Sequence, residues 1–241
     1  MNFNNCWGLL VGIVLSILST GWRVIFVDTV HGFDWKPSLK QFDGYGEKNE
    51  PKTEMERDNL LDKYDIVPDI VKGYPKNVVK VEYHHENGVS MVKFGNFLQV
   101  NETRPDPKVT WDAVDSERYV LLMIDPDGER EGDYDGRDWQ IYLVTNIVGN
   151  NVSRGEMISD YIPPFASYCK QFHRYIFLVY QQPNHGKIIE YFEIRLTLIY
   201  EEYRKKFRSR VFAARYGLGE PIAINFFLGE MRNTTSSTDD Y

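Results

Sequence analysis

The sequence is poor in cysteine, and this limits the kinds of stabilisation and chemistry open to it. Its 241 residues include two cysteines, Cys6 and Cys169, and Cys6 lies in an apolar N-terminal run. A framework of intrachain disulfides is therefore not expected, and neither is a zinc site built on paired cysteines. If the run is removed, Cys169 is alone, and a lone cysteine more often packs as a small buried hydrophobe than reacts as a nucleophile.

Excess positive charge is also lacking. Lys and Arg number 28 against 35 Asp and Glu, which gives a net charge of −7. Binding to nucleic acid without sequence preference requires many cations to neutralise phosphates, so we expect no nucleic-acid partner. Apolar residues make up 42% of the chain and aromatic residues 15%. This is enough for a full-sized core, and the length suits one β-rich domain with terminal extensions.

The N-terminal run from Gly8 to Thr20 is uncharged and has the length of a signal-peptide core. Small residues at its end place cleavage after Gly21, which makes residues 1–21 a signal peptide of a secreted, extracellular protein. However, no Lys or Arg precedes the run, and apolar residues resume from Val24 to Val27. An uncleaved membrane anchor of about 20 residues is therefore the alternative. Three N-glycosylation sequons support entry into the secretory pathway; they are at Asn101, Asn151 and Asn233.

The sequence predicts one domain over residues 60–231. It is preceded by an extended lead-in over residues 22–59, which shows no sustained periodicity, and followed by a polar, disordered tail over residues 232–241. Strand-length runs in the domain are rich in β-branched and aromatic residues, and turn-rich loops separate them, which favours a mainly antiparallel β fold. The runs are Val78–Tyr83, Lys108–Trp111, Arg118–Ile124, Ile141–Ile147, Tyr175–Tyr180 and Ile189–Tyr200.

Two other segments have helical features. Leu60–Val71 predicts a short amphipathic piece at the start of the domain. Glu201–Ala214 predicts a charged helix with Phe207, Val211 and Phe212 on the side that packs against a sheet.

Three clusters of residues at the ends of predicted strands contain the candidate binding residues. Asp125-Pro126-Asp127 follows one strand, Trp139 opens the next, and His173-Arg174-Tyr175 opens another. Pro126 forces Asp125 into an extended conformation and ends its strand. If the three clusters meet at one end of a sheet, an imidazole, a carboxylate and aromatic walls form a site for a small anion. Alternatively, His173 is a structural histidine and Asp125 caps a turn.

The order of these landmarks resembles the phosphatidylethanolamine-binding protein family, also called the Raf kinase inhibitor protein family. The resemblance covers about Leu60 to Phe227. It implies a central antiparallel β-sheet, a smaller second sheet and a few peripheral helices, with a pocket for phosphate-like anions and phospholipid head groups. The landmarks are Val109-Thr110-Trp111-Asp112, Asp125-Pro126-Asp127, Arg137-Asp138-Trp139, Asn146-Ile147-Val148-Gly149-Asn150, Ser159-Asp160-Tyr161 and His173-Arg174-Tyr175.

The same resemblance implies roles for individual residues. His173 is expected to donate to a phosphoryl oxygen, Asp125 to hold the hydrogen-bond pattern of the pocket, and Trp139 and Tyr175 to form its walls. The full predicted ligand-binding set is Asp125, Asp127, Trp139, Ile141, His173 and Tyr175.

Departures from the family pattern fall on this pocket. The family usually has a second histidine two positions after the tryptophan, where this chain has Ile141. The stretch Pro163–Phe172 carries Phe and Tyr where the family is rich in glycine, and Gly128-Glu129 follows the Asp-Pro-Asp motif. Losing one histidine donor costs a bound anion about 1.5–3 kcal/mol. We therefore expect phosphate to bind weakly or not at all.

The sequence leaves two main functions open. The first is binding of a phospholipid head group, or another small anionic or apolar ligand, in the modified pocket. The second is a protein-interaction or inhibitor module, with a protease or signalling partner and a vestigial pocket. An enzyme with Asp125 and His173 as an acid–base pair ranks last, because no activated Ser or Cys is recognisable. We expect no cofactor, no metal and a monomer; the acidic stretch Asp125–Asp138 lacks the glycine and glutamate of an EF-hand loop.

Overall fold

The structure is a computed structural model and describes residues 50–99, 101–127, 138–164, 172–183, 186–198 and 201–230. The predicted signal segment, most of the lead-in, Cys169, Asn233 and the predicted tail lie outside these ranges. Within the described ranges, no helix is both long and apolar enough to cross a bilayer.

In the described ranges, ten strands form two sheets. A seven-stranded sheet has the order β1-β10-β9-β6-β7-β8, with β4 also on β10, and a three-stranded sheet has the order β3-β2-β5. The strands are β1 (Asn77–Val78), β2 (Lys80–His85), β3 (Gly88–Met91), β4 (Asn96–Gln99), β5 (Lys108–Thr110), β6 (Arg118–Asp125), β7 (Trp139–Val148), β8 (Glu156–Ser159), β9 (Phe172–Gln181) and β10 (Ala223–Glu230).

The large sheet is antiparallel from β10 to β8, and β1 and β4 pair parallel with β10 at its edge. In the small sheet, β2 and β3 form a tight hairpin whose strand residues His85 and Gly88 are paired. Gly88 has a φ of 136°, a conformation that residues with a side chain rarely adopt, at the turn that joins these two strands. The predicted fold of two sheets with few helices is confirmed.

The large sheet separates two hydrophobic cores. Alternate side chains of β9, such as Tyr175 and Phe177, pack with Tyr83 of the small sheet in the core between the sheets. The intervening side chains, such as Leu178, pack with Phe212 in a core on the helical side. Because successive residues of a strand point to opposite faces, neighbours at the start of β9 serve different layers.

The first helix, α1, spans Glu54–Lys63 and so begins within the predicted lead-in. The Thr53 side chain caps it by accepting a hydrogen bond from the Glu56 backbone N–H at 3.1 Å. A 3₁₀ turn over Val152–Arg154 follows β7.

The predicted helix Glu201–Ala214 is divided into two pieces. A 3₁₀ turn covers Glu201–Arg204, and the second helix, α2, covers Ser209–Arg215. Between them, Lys206 and Arg208 have left-handed backbones, with φ of 61° and 55°. The predicted packing side is therefore partly wrong, because α2 buries Phe212 but leaves Val211 half exposed.

Ile189–Tyr200 was predicted as a strand, and this is wrong for its described part. The segment forms one isolated bridge, in which Leu196 pairs with Ser159 at the end of β8. The side-chain amide of Asn146 holds the backbone of Ile189 through two hydrogen bonds of 2.9 and 3.0 Å. These bonds tie up backbone groups that a neighbouring strand would need.

Candidate functional site

The three strand-end clusters predicted to converge do meet at one end of the large sheet. Asp125 is the last residue of β6, and its register partner is Trp139, the first residue of β7. On the other side of β6, Ile124 pairs with Ile176 of β9, which places His173 at the same end. The convergence follows from antiparallel pairing, because the end of β6 adjoins the starts of both its neighbours.

At the centre of the site His173 and Asp125 form a buried pair. The His173 Nδ1 atom lies 2.7 Å from Asp125 Oδ2, and the two residues are 6% and 7% exposed. The other carboxylate oxygen, Oδ1, accepts a hydrogen bond of 2.9 Å from the Asp127 backbone N–H. Within the described residues, the second ring nitrogen of His173, Nε2, has no hydrogen-bond partner. The ring is thus fixed in orientation with one N–H to offer.

Electrostatics keep the imidazole charged. Burial lowers the pKa of His173, but the Asp125 carboxylate outweighs burial and raises that pKa to about 9. Burial raises the pKa of Asp125, against the opposing effect of His173. At neutral pH His173 therefore carries two protons, and Nε2–H is a charge-assisted donor.

An aromatic stack supports the imidazole. The ring of Tyr175 stacks on His173 with 6.3 Å between centroids, and on Phe227 with 5.0 Å. Gly229 of β10 is the register partner of His173, and a Cβ added there would lie 2.7 Å from Cε2 of Tyr175. Glycine at this position therefore lets the Tyr175 ring lie against the strand backbone.

The opposite wall of the site is apolar. Trp139 is 3% exposed, and the Nζ atom of Lys205 lies 5.4 Å from the centroid of its ring. Ile141 is 1% exposed and belongs to the core between the sheets. It occupies a register shift of β7, since Gln140 and Tyr142 pair with consecutive residues of β6. At this position the chain thus carries a buried hydrocarbon side chain.

Asp127 points away from the other predicted site residues. Its carboxylate accepts hydrogen bonds from the Arg174 side chain at 2.6 Å from Nη2 and 3.0 Å from Nε, and from the Arg174 backbone N–H at 2.8 Å. Burial raises the pKa of Asp127, but Arg174 outweighs burial and lowers it overall. Only the backbone N–H of Asp127 reaches Asp125. The structure therefore gathers Asp125, Trp139, His173 and Tyr175 at one end of the sheet. It places Ile141 in the core between the sheets and the Asp127 side chain on the helical side.

A sequence model of the phosphatidylethanolamine-binding protein family matches residues 84–227 of this chain. The chain belongs to the phosphatidylethanolamine-binding protein family. The 26 kDa secreted antigen of Toxocara canis is 33% identical over 162 residues, which cover 67% of this chain and 60% of the antigen. A second relative, named "Putative odorant-binding protein A5" of Drosophila melanogaster, is 26% identical over 168 residues, or 70% of this chain and 77% of that protein.

Among solved structures, carboxypeptidase Y inhibitor, crystallised with its cognate proteinase, matches with a TM-score of 0.60 and 19% identity. The match covers 74% of this chain and 96% of the inhibitor. At this identity the likeness supports the phosphatidylethanolamine-binding protein fold. That the site described above is the family's pocket, with Ile141 in place of a second histidine, stays a prediction.

Two residues next to the site, Arg174 and Asp138, belong to the landmark motifs, but the sequence does not predict their partners. Arg174 is held by two backbone carbonyls, of Tyr64 and Asp65, in addition to carboxylates. Asp138 accepts hydrogen bonds from the backbone N–H and the hydroxyl of Ser209, at 2.8 and 2.6 Å. In the sequence, Asp138 is distinguished only by its position next to Trp139. Its partner Ser209 lies 71 positions away in the chain and could not be predicted from the motif.

Two of the three predicted glycosylation sites fall in the described ranges. Asn101 lies in a turn, Asn151 precedes the 3₁₀ turn after β7, and both are exposed. Their glycosylation stays a prediction. Among the described residues, no group of three His, Cys, Asp or Glu side chains is placed to hold a metal ion.

Proposed function

We propose that this chain is a secreted, non-enzymatic binding protein that holds a phospholipid head group, or another small anionic ligand, at His173. The observation that carries the proposal is the Asp125–His173 pair. Asp125 fixes one nitrogen of the ring at 2.7 Å, which leaves the Nε2–H of a protonated imidazole to donate to a phosphoryl oxygen.

The protonation state of His173 favours binding over catalysis. A general base must be unprotonated at the working pH, and efficient ones have pKa values near that pH. With its pKa raised to about 9, His173 keeps its proton at neutral pH. A donor that is charged at neutral pH and has a fixed orientation suits the recognition of an anion.

The walls of the site favour a phosphate that carries an organic group. One imidazolium supplies a single charge, and Trp139, Ile141 and Tyr175 add apolar or aromatic surface, all buried. Removing a doubly charged inorganic phosphate from water is costly in such surroundings. A singly charged phosphodiester is a better match, because its glycerol or alkyl part can contact the aromatic rings.

Secretion is supported by the relatives and by the sequons. One relative is named as a secreted antigen, and the name of another describes odorant binding, which also fits a small-ligand role. Asn101 and Asn151 lie exposed, where a glycan can be accommodated.

A second candidate function is protein interaction, with the pocket unused. Four large apolar side chains of one extended segment are exposed, namely Ile188, Phe192, Ile194 and Leu198. An exposed apolar strip of this kind often marks a protein-binding surface. The shared fold of carboxypeptidase Y inhibitor is compatible with such a role.

Calorimetric titration with glycerophosphoethanolamine tests the first proposal. The wild-type protein is expected to bind it saturably, and His173→Gln is expected to bind at least tenfold more weakly, because a hydrogen bond to a charged group contributes about 1.5–3 kcal/mol. The matched control is His84→Gln on β2, whose side chain is 57% exposed. Equal affinity of His173→Gln and wild type would move the site elsewhere. No binding by the wild-type protein would favour protein interaction instead.

Replacing Ile141 with histidine is expected to tighten glycerophosphoethanolamine binding about tenfold, because it supplies the second histidine donor that the family usually has at this position. The affinity is measured by the same titration, and circular dichroism confirms that the variant is folded. Ile141→Val, which keeps the wall apolar, is expected to bind as the wild type does. A folded Ile141→His variant with unchanged affinity would show that Ile141 does not limit binding, and would direct attention to the departures between Pro163 and Phe172.

A further inference from the structure

A local concentration of positive charge stands out in this acidic chain. Residues 201–215 contain six basic and two acidic side chains, whereas the whole chain has a net charge of −7. Lys206, Arg208 and Arg210 are exposed. Within the described part of the chain, none of these three has an ion-pair partner. Three cations that no described carboxylate neutralises thus lie within five residues of one another.

Two of these cations, Lys206 and Arg208, lie on a loop with a fixed shape, and Arg210 lies in the first turn of α2. Lys206 and Arg208 have φ values of 61° and 55°, a left-handed conformation that costs a residue with a side chain free energy and persists only where contacts impose it. The contacts come from buried Asp138. Its carbonyl accepts from the Phe207 backbone N–H at 3.0 Å, and its carboxylate accepts from Ser209 at 2.6 and 2.8 Å.

Large apolar side chains are exposed beside the cations. Tyr203 is 64% exposed, Val211 is 50% exposed and Phe192 is 79% exposed. The segment carrying Phe192 is held against the end of α2, because its backbone N–H donates to the Tyr216 hydroxyl at 3.0 Å. Exposed Lys and Arg interspersed with aromatic and aliphatic side chains are typical of surfaces that lie in the interface of an anionic membrane.

We propose that these six residues, Phe192, Tyr203, Lys206, Arg208, Arg210 and Val211, form a docking surface for an anionic phospholipid bilayer. A soluble polyanion would contact the cations alone and would leave the apolar side chains exposed to water. In an anionic bilayer, the lipid head groups contact the cations and the boundary with the acyl chains contacts the apolar side chains.

The docking surface adjoins the head-group site. Lys205, between Tyr203 and Lys206 in the chain, places its Nζ atom 5.4 Å from the centroid of the Trp139 ring. Asp138, which fixes the basic loop, immediately precedes Trp139. A protein docked through this surface therefore holds its site beside the layer of lipid head groups. This last step rests on the proposed function, but membrane docking itself does not.

Co-sedimentation of the full chain with phosphatidylcholine vesicles, with and without phosphatidylserine and lacking phosphatidylethanolamine, tests the docking surface. We expect tighter binding when phosphatidylserine is present. The triple substitution K206Q, R208Q and R210Q is expected to weaken the serine-dependent binding about a hundredfold, since each Lys or Arg near an anionic surface contributes about fivefold. Tyr203→Ser is expected to weaken it several-fold as well, although it removes no charge.

The matched control removes the same charge elsewhere. Lys72, Lys76 and Lys80 are exposed and, among the described residues, have no ion-pair partner. Replacing all three with glutamine is expected to change vesicle binding by less than about threefold, because none of them belongs to the docking surface. Equal losses in the two triple variants, or no effect of phosphatidylserine on the wild type, would overturn the proposal.

The head-group site and the docking surface can fail separately. His173→Gln is expected to keep its binding to phosphatidylserine vesicles, and the K206Q, R208Q and R210Q variant is expected to keep its affinity for soluble glycerophosphoethanolamine. Loss of soluble head-group binding in the triple variant would mean that the basic loop belongs to the pocket, and would overturn a separate docking surface.

Discussion

Replacing Asp127 with asparagine is expected to lower the free energy of unfolding by about 3 kcal/mol, the lower end of the cost of breaking a buried ion pair. The Arg174 side chain is 7% exposed, and Asp127 lies 2.6 Å from its Nη2 atom. Asparagine removes the negative charge and leaves the guanidinium buried. Within the described residues the carboxylate that remains is that of Asp69, at 3.3 Å.

Urea denaturation followed by circular dichroism measures this loss. The control is Glu82→Gln, which removes a carboxylate from an exposed pair with Lys108 at 3.2 Å. Exposed pairs contribute little to stability, so its unfolding midpoint is expected to stay at the wild-type value. If Asp127→Asn were no less stable than this control, the buried pair would not be a net stabiliser. Because the Asp127 carboxylate faces Arg174, the folded variant should also retain its affinity for glycerophosphoethanolamine.

The direction of Asp127 shows what the sequence could not supply. The sequence placed both aspartates at the end of a strand, and strand pairing then brought Asp125 to His173. The side chains of Asp125 and Asp127 diverge because the chain turns after Pro126, and Arg174 on the helical face captures the second carboxylate. His173 and Arg174 are neighbours on β9 and point to opposite faces of the sheet. His173 therefore pairs with Asp125, and Arg174 pairs with Asp127. The pairing depends on the turn geometry, which a motif does not encode.

Side-chain to backbone hydrogen bonds explain the errors in secondary structure. The alternation of apolar and polar residues over Ile189–Tyr200 is typical of a strand. However, the Asn146 side chain forms hydrogen bonds with the backbone N–H and carbonyl of Ile189. The charged run over Glu201–Ala214 is typical of a helix. However, Asp138 accepts hydrogen bonds from the backbone N–H groups of Phe207 and Ser209, and a separate helix begins at Ser209. In both cases a polar residue distant in sequence outweighs a local preference, because a buried backbone group must find a partner.

The pair between Asp125 and His173 also makes the stability of the protein depend on pH. Raising the pH from about 6 to 10 is expected to lower the free energy of unfolding by as much as about 3 kcal/mol, at 1.36 kcal/mol for each unit by which a pKa differs between the folded and unfolded states. The pKa of His173 rises from 6.5 to about 9 on folding, because the Asp125 carboxylate outweighs burial. A raised pKa means that the folded protein holds the proton more tightly. The stabilisation is therefore complete below pH 6.5 and is lost as the pH passes through 9.

Thermal unfolding in a series of buffers across this range measures the effect. The His173→Gln variant is expected to lose most of the decline, because glutamine does not titrate, whereas His84→Gln should decline as the wild type does. The His84 side chain is 57% exposed, and replacing it leaves the Asp125–His173 pair intact. If the stability of the His173→Gln variant declined with pH as much as that of the wild type, the decline would be due to another titrating group. Since the same proton is the one proposed to reach the ligand, head-group affinity should fall over the same pH range as stability.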